Sequence, residues 1–207
     1  MKEWNLNLKY LVKETLNTPT RSASPSFWSP PAHNTYKLNF DGAAIGNPGP
    51  AGFGGVIRRH NGEALIVYYG SIGKDTNNAA ELEGLWKGIC TAEQHQLSPL
   101  EVEGDSLILI EAAKRMQAGT KAVKIAKSWR LLNRLESLED KLQALQNLSF
   151  HHVRRTANKV ADRLANQGAS QSTHFFSGPL DMIEDDKLKE DCIDLVHKEI
   201  LSPDAGV

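Results

Sequence analysis

The hydrophobic pattern between Tyr36 and Ser170 changes period in a fixed order, and that order limits the folds open to the chain. Tyr36-Lys37-Leu38-Asn39-Phe40-Asp41 alternates apolar and polar residues, the period of a half-buried strand. Tyr36, Leu38 and Phe40 are expected on one face; Lys37, Asn39 and Asp41 on the other. A Gly- and Pro-rich turn region spans 42–52. Strands are expected at about 53–59 and 63–70, joined by His60-Asn61-Gly62, whose Asn-Gly pair suits a tight hairpin. The period then lengthens. Asp75 or Thr76 can cap a helix over about 77–96, with Leu82, Leu85, Trp86 and Ile89 as its apolar stripe. A short strand (100–104), a helix from Asp105-Ser106 to about Gln117, a longer helix (122–146), a strand (148–155) and a helix (157–169) follow. A hairpin run followed by β-α-β units predicts an α/β fold: a mixed five-stranded sheet flanked by helices.

Two segments flank this unit. Residues 1–35 read as a short helix over 3–17 and a Pro/Ser-rich extended linker. Residues 171–207 form an acidic tail with one amphipathic helix at about 181–201. These are short helical appendages to a domain spanning 36–170. The total net charge of −1 hides a +2 leading segment, a +3 centre and a −6 tail, so near-neutrality excludes no nucleic-acid partner. No run of about 18 apolar residues is present, so no membrane partner is expected. The first residues lack an apolar signal core, which places the expected location inside the cell, in nucleus or cytoplasm. Cys90 and Cys192 read as reduced thiols without a disulfide partner.

Four carboxylates sit where elements begin or end. Asp41 ends the first strand, Glu81 lies in the first turns of the next helix, Asp105 ends the fourth strand, and Asp162 opens the last helix. Each alone is ordinarily a solvated turn residue or a helix cap. If strands one, four and five are parallel neighbours, the four converge. Like charges at close range cannot all ionise without a cation, and hard divalent ions with oxygen ligands satisfy that need.

The flanking residues are distinctive. Asn39-Phe40-Asp41-Gly42-Ala43-Ala44-Ile45-Gly46-Asn47-Pro48-Gly49-Pro50-Ala51-Gly52 resembles the opening motif of type 1 ribonuclease H. Thr76-Asn77-Asn78-Ala79-Ala80-Glu81-Leu82 resembles its second motif, Gly104-Asp105-Ser106 its third, and Asn158-Lys159-Val160-Ala161-Asp162-Arg163-Leu164-Ala165 its fourth. The resemblance covers about 36–170. Trp28-Ser29-Pro30-Pro31 ahead of the first strand is most similar to ribonuclease H-like domains of plant retrotransposons and their host relatives.

The resemblance implies an endonuclease that cleaves the RNA strand of an RNA–DNA hybrid with two Mg²⁺ ions (Mn²⁺ substituting), leaving 5′-phosphate and 3′-hydroxyl ends. Asp41 would bridge both ions, Asp162 would help hold the ion that activates water, and Glu81 with Asp105 the ion at the leaving oxygen. Gly42, Asn47, Thr76, Asn77, Asn78 and Arg155 would contact substrate, amides suiting a 2′-hydroxyl that both donates and accepts. Asn47 equally suits a turn, Asn78 a helix start, and Thr76 a helix cap. His152 is an accessory candidate ten residues before Asp162, yet its strand pattern also suits a half-buried sheet position. Arg155 matches an arginine of shorter family members that lack a histidine loop. The basic protrusion of long family members is missing, and Lys121, Lys124, Lys127 and Arg134 could supply phosphate contacts or simply a solvated face. The alternative reading is a non-catalytic, retrotransposon-derived domain that binds hybrid or other nucleic acid.

Overall fold

The computed structural model describes residues 27–125, 129–171 and 175–201; the helix expected at 3–17 lies outside them. In chain order the elements are β1 (Tyr36–Ala44), β2 (Gly49–Arg58), β3 (Ala64–Asp75), α1 (Asn77–Gln94), β4 (Leu100–Gly104), α2 (Leu107–Gln117), α3 (Ala122–Ile125), α4 (Trp129–Ala144), β5 (Leu148–His152), α5 (Lys159–Ser170), β6 (Phe176–Gly178) and α6 (Asp186–Ile200). They form one mixed sheet in the order β5-β4-β1-β2-β3-β6. β1, β2 and β3 are antiparallel, whereas β1 with β4 and β4 with β5 run parallel. The α/β architecture expected from the sequence is therefore present, and strands one, four and five are the parallel neighbours that convergence requires.

Three differences have physical causes. The sheet has six strands rather than five, because Phe176–Gly178 pairs with Val67–Tyr69 at the open edge of β3 and Phe176 stacks on Tyr69 with ring centroids 5.3 Å apart. An edge strand exposes unpaired backbone groups, and the tail covers part of that row. β1 does not stop at Asp41; Gly42, Ala43 and Ala44 stay paired with Phe53, Gly52 and Ala51. The expected 122–146 helix is described as two pieces, α3 and α4, with 126–128 outside the described residues.

Helices cover both faces of the sheet. On one, Leu38, Phe40, Phe53, Ile57 and Tyr68 pack against α1, α2 and α4 through residues such as Leu85, Ile89, Ile110 and Leu138. On the other, Val56, Val67 and Tyr69 pack against Val160 and Leu164 of α5 and Leu188, Cys192 and Val196 of α6. β1 is consequently buried on both sides: Lys37, Asn39 and Asp41 are only 2%, 1% and 6% exposed. The alternation in β1 correctly separated the faces, but its polar face is not a solvent face. Trp28, expected in an extended linker, is buried beside Val153 and Ala157.

Candidate active site

Parallel pairing of β1 with β4 puts Asn39 level with Glu103. One step further along each strand direction come Asp41 in β1 and Asp105, just past β4. α1 is brought onto β1 at a glycine contact. A Cβ on Gly42 would lie 2.0 Å from the Glu81 nitrogen, and one on Gly84 would lie 2.6 Å from the Asp41 carbonyl oxygen. Only glycine permits this approach, and it carries Glu81 to the Asp41 end of the strand. α5 starts beside the same strand: Asn158 Nδ2 donates to the Phe40 carbonyl at 2.9 Å, which sets Asp162, in the first turn of α5, over Asp41. Gly42→Ala should therefore separate α1 from β1 and destabilise the protein by about 3 kcal/mol, the upper range for overpacking. Urea denaturation reads that loss.

The electrostatics report the gathering. Burial first, then the Asp105 charge, and further the Asp162 and Glu81 charges, hold the Asp41 carboxyl well above its usual range, while the Gly42 N–H opposes the rise. Burial pushes the Glu81 carboxyl up to about 7, with Asp105 adding to the rise and hydrogen bonds from Ser106 and Asn77 opposing it. Asp105 is also raised, by burial first and by Asp162 among other neighbours, against the opposing charge of Arg155. Mutually raised carboxyls of this kind are oxygen donors that a divalent cation relieves.

Three of the four carboxylates are meanwhile turned to a neighbouring protein group. Asp41 Oδ1 accepts from the Gly42 N–H at 2.8 Å. Glu81 Oε1 accepts from Asn77 Nδ2 at 2.9 Å. Asp162 Oδ1 accepts from Arg155 Nε at 3.1 Å and is ion-paired to its Nη2. Among the described residues, no group of three or more His, Cys, Asp or Glu side chains is already arranged as a metal cage. The oxygen-donor chemistry of these carboxylates is of the kind that suits hard divalent ions.

The remaining expected residues divide. Thr76 is the cap of α1, its hydroxyl accepting from the Ala79 N–H at 3.3 Å. Asn47 is exposed and its Oδ1 accepts from the Asn77 N–H at 3.3 Å, tying the β1–β2 loop to the start of α1. Asn78 is half-buried in the first turn of α1. Arg155 is exposed except for its pairing with Asp162. His152 is a half-buried β5 residue whose Nε2 lies 3.0 Å from the Asp105 carbonyl oxygen, as the strand pattern anticipated. The lysine and arginine stripe is largely neutralised. Lys121 bonds Glu139 at 2.7 Å, and Arg134 bonds Asp75 at 3.0 Å and approaches Glu83 at 3.5 Å. Lys124 is exposed, and Lys127 lies outside the described residues. Cys90 and Cys192 are free thiols, and no described helix is long and apolar enough to cross a membrane.

Sequence reasoning missed Asn158, which the fourth motif contains, and Ser106, whose hydroxyl bonds Glu81. The signal for both was position: each adjoins a strand-to-helix junction next to a carboxylate.

The raised Glu81 carboxyl has a thermodynamic sign. Above its unfolded value of 4.5 and below about 7 the folded protein keeps a proton that the unfolded chain releases. Stability contributed by this group is thus present at low pH and falls as pH rises through that window. Glu81→Gln, which cannot ionise, should gain stability relative to the parent chain between these pH values in metal-free denaturation series. An unchanged difference across the window would contradict the assignment.

The six-stranded mixed sheet thus places acidic residues at the neighbouring ends of its parallel strands. Residues 39–168 match the family model described as reverse transcriptase-like. A ribonuclease H from Bordetella avium is 31% identical over 154 residues, covering 69% of this chain and 94% of the relative. An Arabidopsis thaliana protein with a provisional ribonuclease H name is 32% identical over 158 residues, covering 76% of this chain but 24% of that protein. The chain spans between 24% and 61% of the length of the first curated relatives it matches. Among solved structures, LC11-RNase H1 in complex with an RNA/DNA hybrid superposes with a TM-score of 0.57 at 31% identity, covering 65% of this chain and 96% of the other. The chain belongs to the ribonuclease H family.

Proposed function

We propose that the chain is an endoribonuclease that cleaves the RNA strand of RNA–DNA hybrids by two-metal-ion hydrolysis, leaving 5′-phosphate and 3′-hydroxyl ends. The observation that carries this reading is the parallel β4-β1 pairing, which brings the ends bearing Asp41 and Asp105 side by side, with Gly42 admitting α1 and its Glu81 to the same strand end. The similarity to a solved RNase H1 bound to an RNA/DNA hybrid supports the substrate, and the Arabidopsis relative, named for ribonuclease H, supports the activity.

Asp41 and Asp162 would hold one Mg²⁺ or Mn²⁺ and Asp41, Glu81 and Asp105 the other; bound ions would activate water and neutralise charge at the leaving 3′ oxygen. The residues of the chain do the rest. Asn47, Asn77 and Asn78 line the exposed start of α1, where amides can both donate to and accept from a ribose hydroxyl. Gly42 would serve this edge indirectly, by letting α1 and its amides close onto the strand end. Thr76 shapes this edge by capping α1, and its hydroxyl keeps capacity for a phosphate. Arg155 neutralises Asp162 before a cation arrives; once displaced, its guanidinium suits a phosphate. Arg155→Ala should accordingly tighten Mn²⁺ binding while weakening hybrid binding, both measured by calorimetry.

The test uses a labelled hybrid, duplex DNA and duplex RNA, each with and without Mg²⁺. Metal-dependent internal cutting of the RNA in the hybrid alone is expected. Hybrid binding without cutting would favour the non-catalytic alternative, and cutting of duplex DNA would overturn the substrate assignment.

A further inference from the structure

The row of residues directly beneath Asp41 and Asp105 is polar, charged and buried. Register places Glu101 of β4, Lys37 of β1 and Arg58 of β2 side by side, with Glu103 and Asn39 one step nearer the site. Lys37 Nζ donates to Glu103 Oε1 at 2.7 Å and to the Ser29 carbonyl at 2.7 Å, and Asn39 Nδ2 donates to Glu103 Oε2 at 2.9 Å. Burying two cations and two anions in a sheet is costly unless each is paired. Residues outside the matched stretch 39–168 complete the pairing.

From the leading segment, the Trp28 indole N–H donates to Asn39 Oδ1 at 2.9 Å. Its ring lies 4.4 Å from the Arg58 guanidinium carbon, covering a group whose Nε and Nη1 find no hydrogen-bond acceptor. From the trailing segment, Glu199 of α6 is ion-paired with Arg58. Its second oxygen, Oε1, accepts from the Lys159 N–H at 3.0 Å. That N–H opens α5, whose own cap residue Asn158 makes no side-chain cap bond. Glu199 thus caps the helix whose first turn carries Asp162. Ile200 packs against Trp28, so the two flanks meet.

We propose that Trp28 and Glu199 are positioning residues for the carboxylate site. Through one buried network they fix β1, β4 and α5 against each other, and hence the spacing of Asp41, Asp105 and Asp162. The flanking segments are working parts of the site rather than appendages to it. This rests on the reading of those carboxylates as metal ligands.

The test uses the full chain. Arg58→Met/Glu199→Met removes the ion pair without leaving a buried charge, a replacement that buried pairs tolerate, but it also removes the cap on α5. Trp28→Phe keeps an aromatic ring and loses only the indole N–H. Mn²⁺ affinity, read by electron paramagnetic resonance of the free ion, is expected to weaken by about tenfold in the double variant and by about threefold in Trp28→Phe. Hybrid cleavage should lose kcat with KM unchanged. Variants that fold with wild-type Mn²⁺ affinity and kcat overturn the proposal, as does a loss confined to KM. If the double variant does not fold, Trp28→Phe decides on the same criteria. A wild-type chain that binds no Mn²⁺ overturns the carboxylate reading itself and the proposal with it, whereas wild-type binding with unaffected variants overturns the proposal alone.

Discussion

Asp41→Asn is expected to reduce hybrid cleavage by at least about a thousandfold, about 4 kcal/mol of transition-state stabilisation, while hybrid binding persists. Asp41 is the residue on which the other three carboxylates act: Asp105, Asp162 and Glu81 all raise it. That proximity to all three is what the proposed role as a shared cation ligand would require. Asparagine keeps the shape and an oxygen that can still accept from the Gly42 N–H, so the strand end and the substrate edge at Asn47 and Asn77 stay in place. What is lost is the negative charge that would offset the proposed divalent ions. The kinetic signature is a fall in kcat at unchanged hybrid affinity, the pattern of an interaction made with the reacting centre. A variant that retains more than a tenth of wild-type turnover would contradict a central metal role, a factor of ten being about 1.4 kcal/mol.

Glu199→Ala is expected to cost about 3–5 kcal/mol of stability, the range for leaving a buried charge without its partner. Arg58 is 1% exposed and Glu199 5% exposed, so water cannot replace the lost carboxylate. The Lys159 N–H loses its acceptor as well. For a chain of this size the loss corresponds to roughly a 10 °C fall in Tm, measurable by calorimetry. An exposed charge on a loosely attached tail would instead change stability by less than about 1 kcal/mol, and a shift that small would show that α6 is not part of the folding unit. This variant reads stability, and the charge-free double variant reads site geometry, so the two separate.

The carboxylates stood out because each sits at a change of period inside a stretch that resembles a type 1 ribonuclease H motif. Asp41 closes an alternating run, Asp105 follows a short strand, and Glu81 and Asp162 occupy the first turns of amphipathic helices. Their convergence was conditional on strands one, four and five being parallel neighbours, and the pairing of β1 with β4 and β4 with β5 meets that condition. Lys37 and Asn39 were not legible as buried residues. Alternation tells which face a residue takes, not whether that face is later covered, and the cover here comes from α5, α6 and Trp28. Residues 28–32 form neither helix nor strand, and a proline-rich sequence does not report where an indole lands. Glu199 was hidden for a different reason: in an acidic segment one glutamate resembles its neighbours, and only its distant partner Arg58 marks it out. β6 has three residues, too few for a period to emerge.

Anomalous diffraction from crystals grown with Mn²⁺ and an uncleavable hybrid would measure the central claim most directly. Two peaks about 4 Å apart are expected, with Asp41 touching both, Glu81 and Asp105 on one, and Asp162 released from Arg155 onto the other. Manganese bound elsewhere, with the Asp41, Glu81 and Asp162 carboxylates still turned to Gly42, Asn77 and Arg155, would contradict the metal-ligand reading.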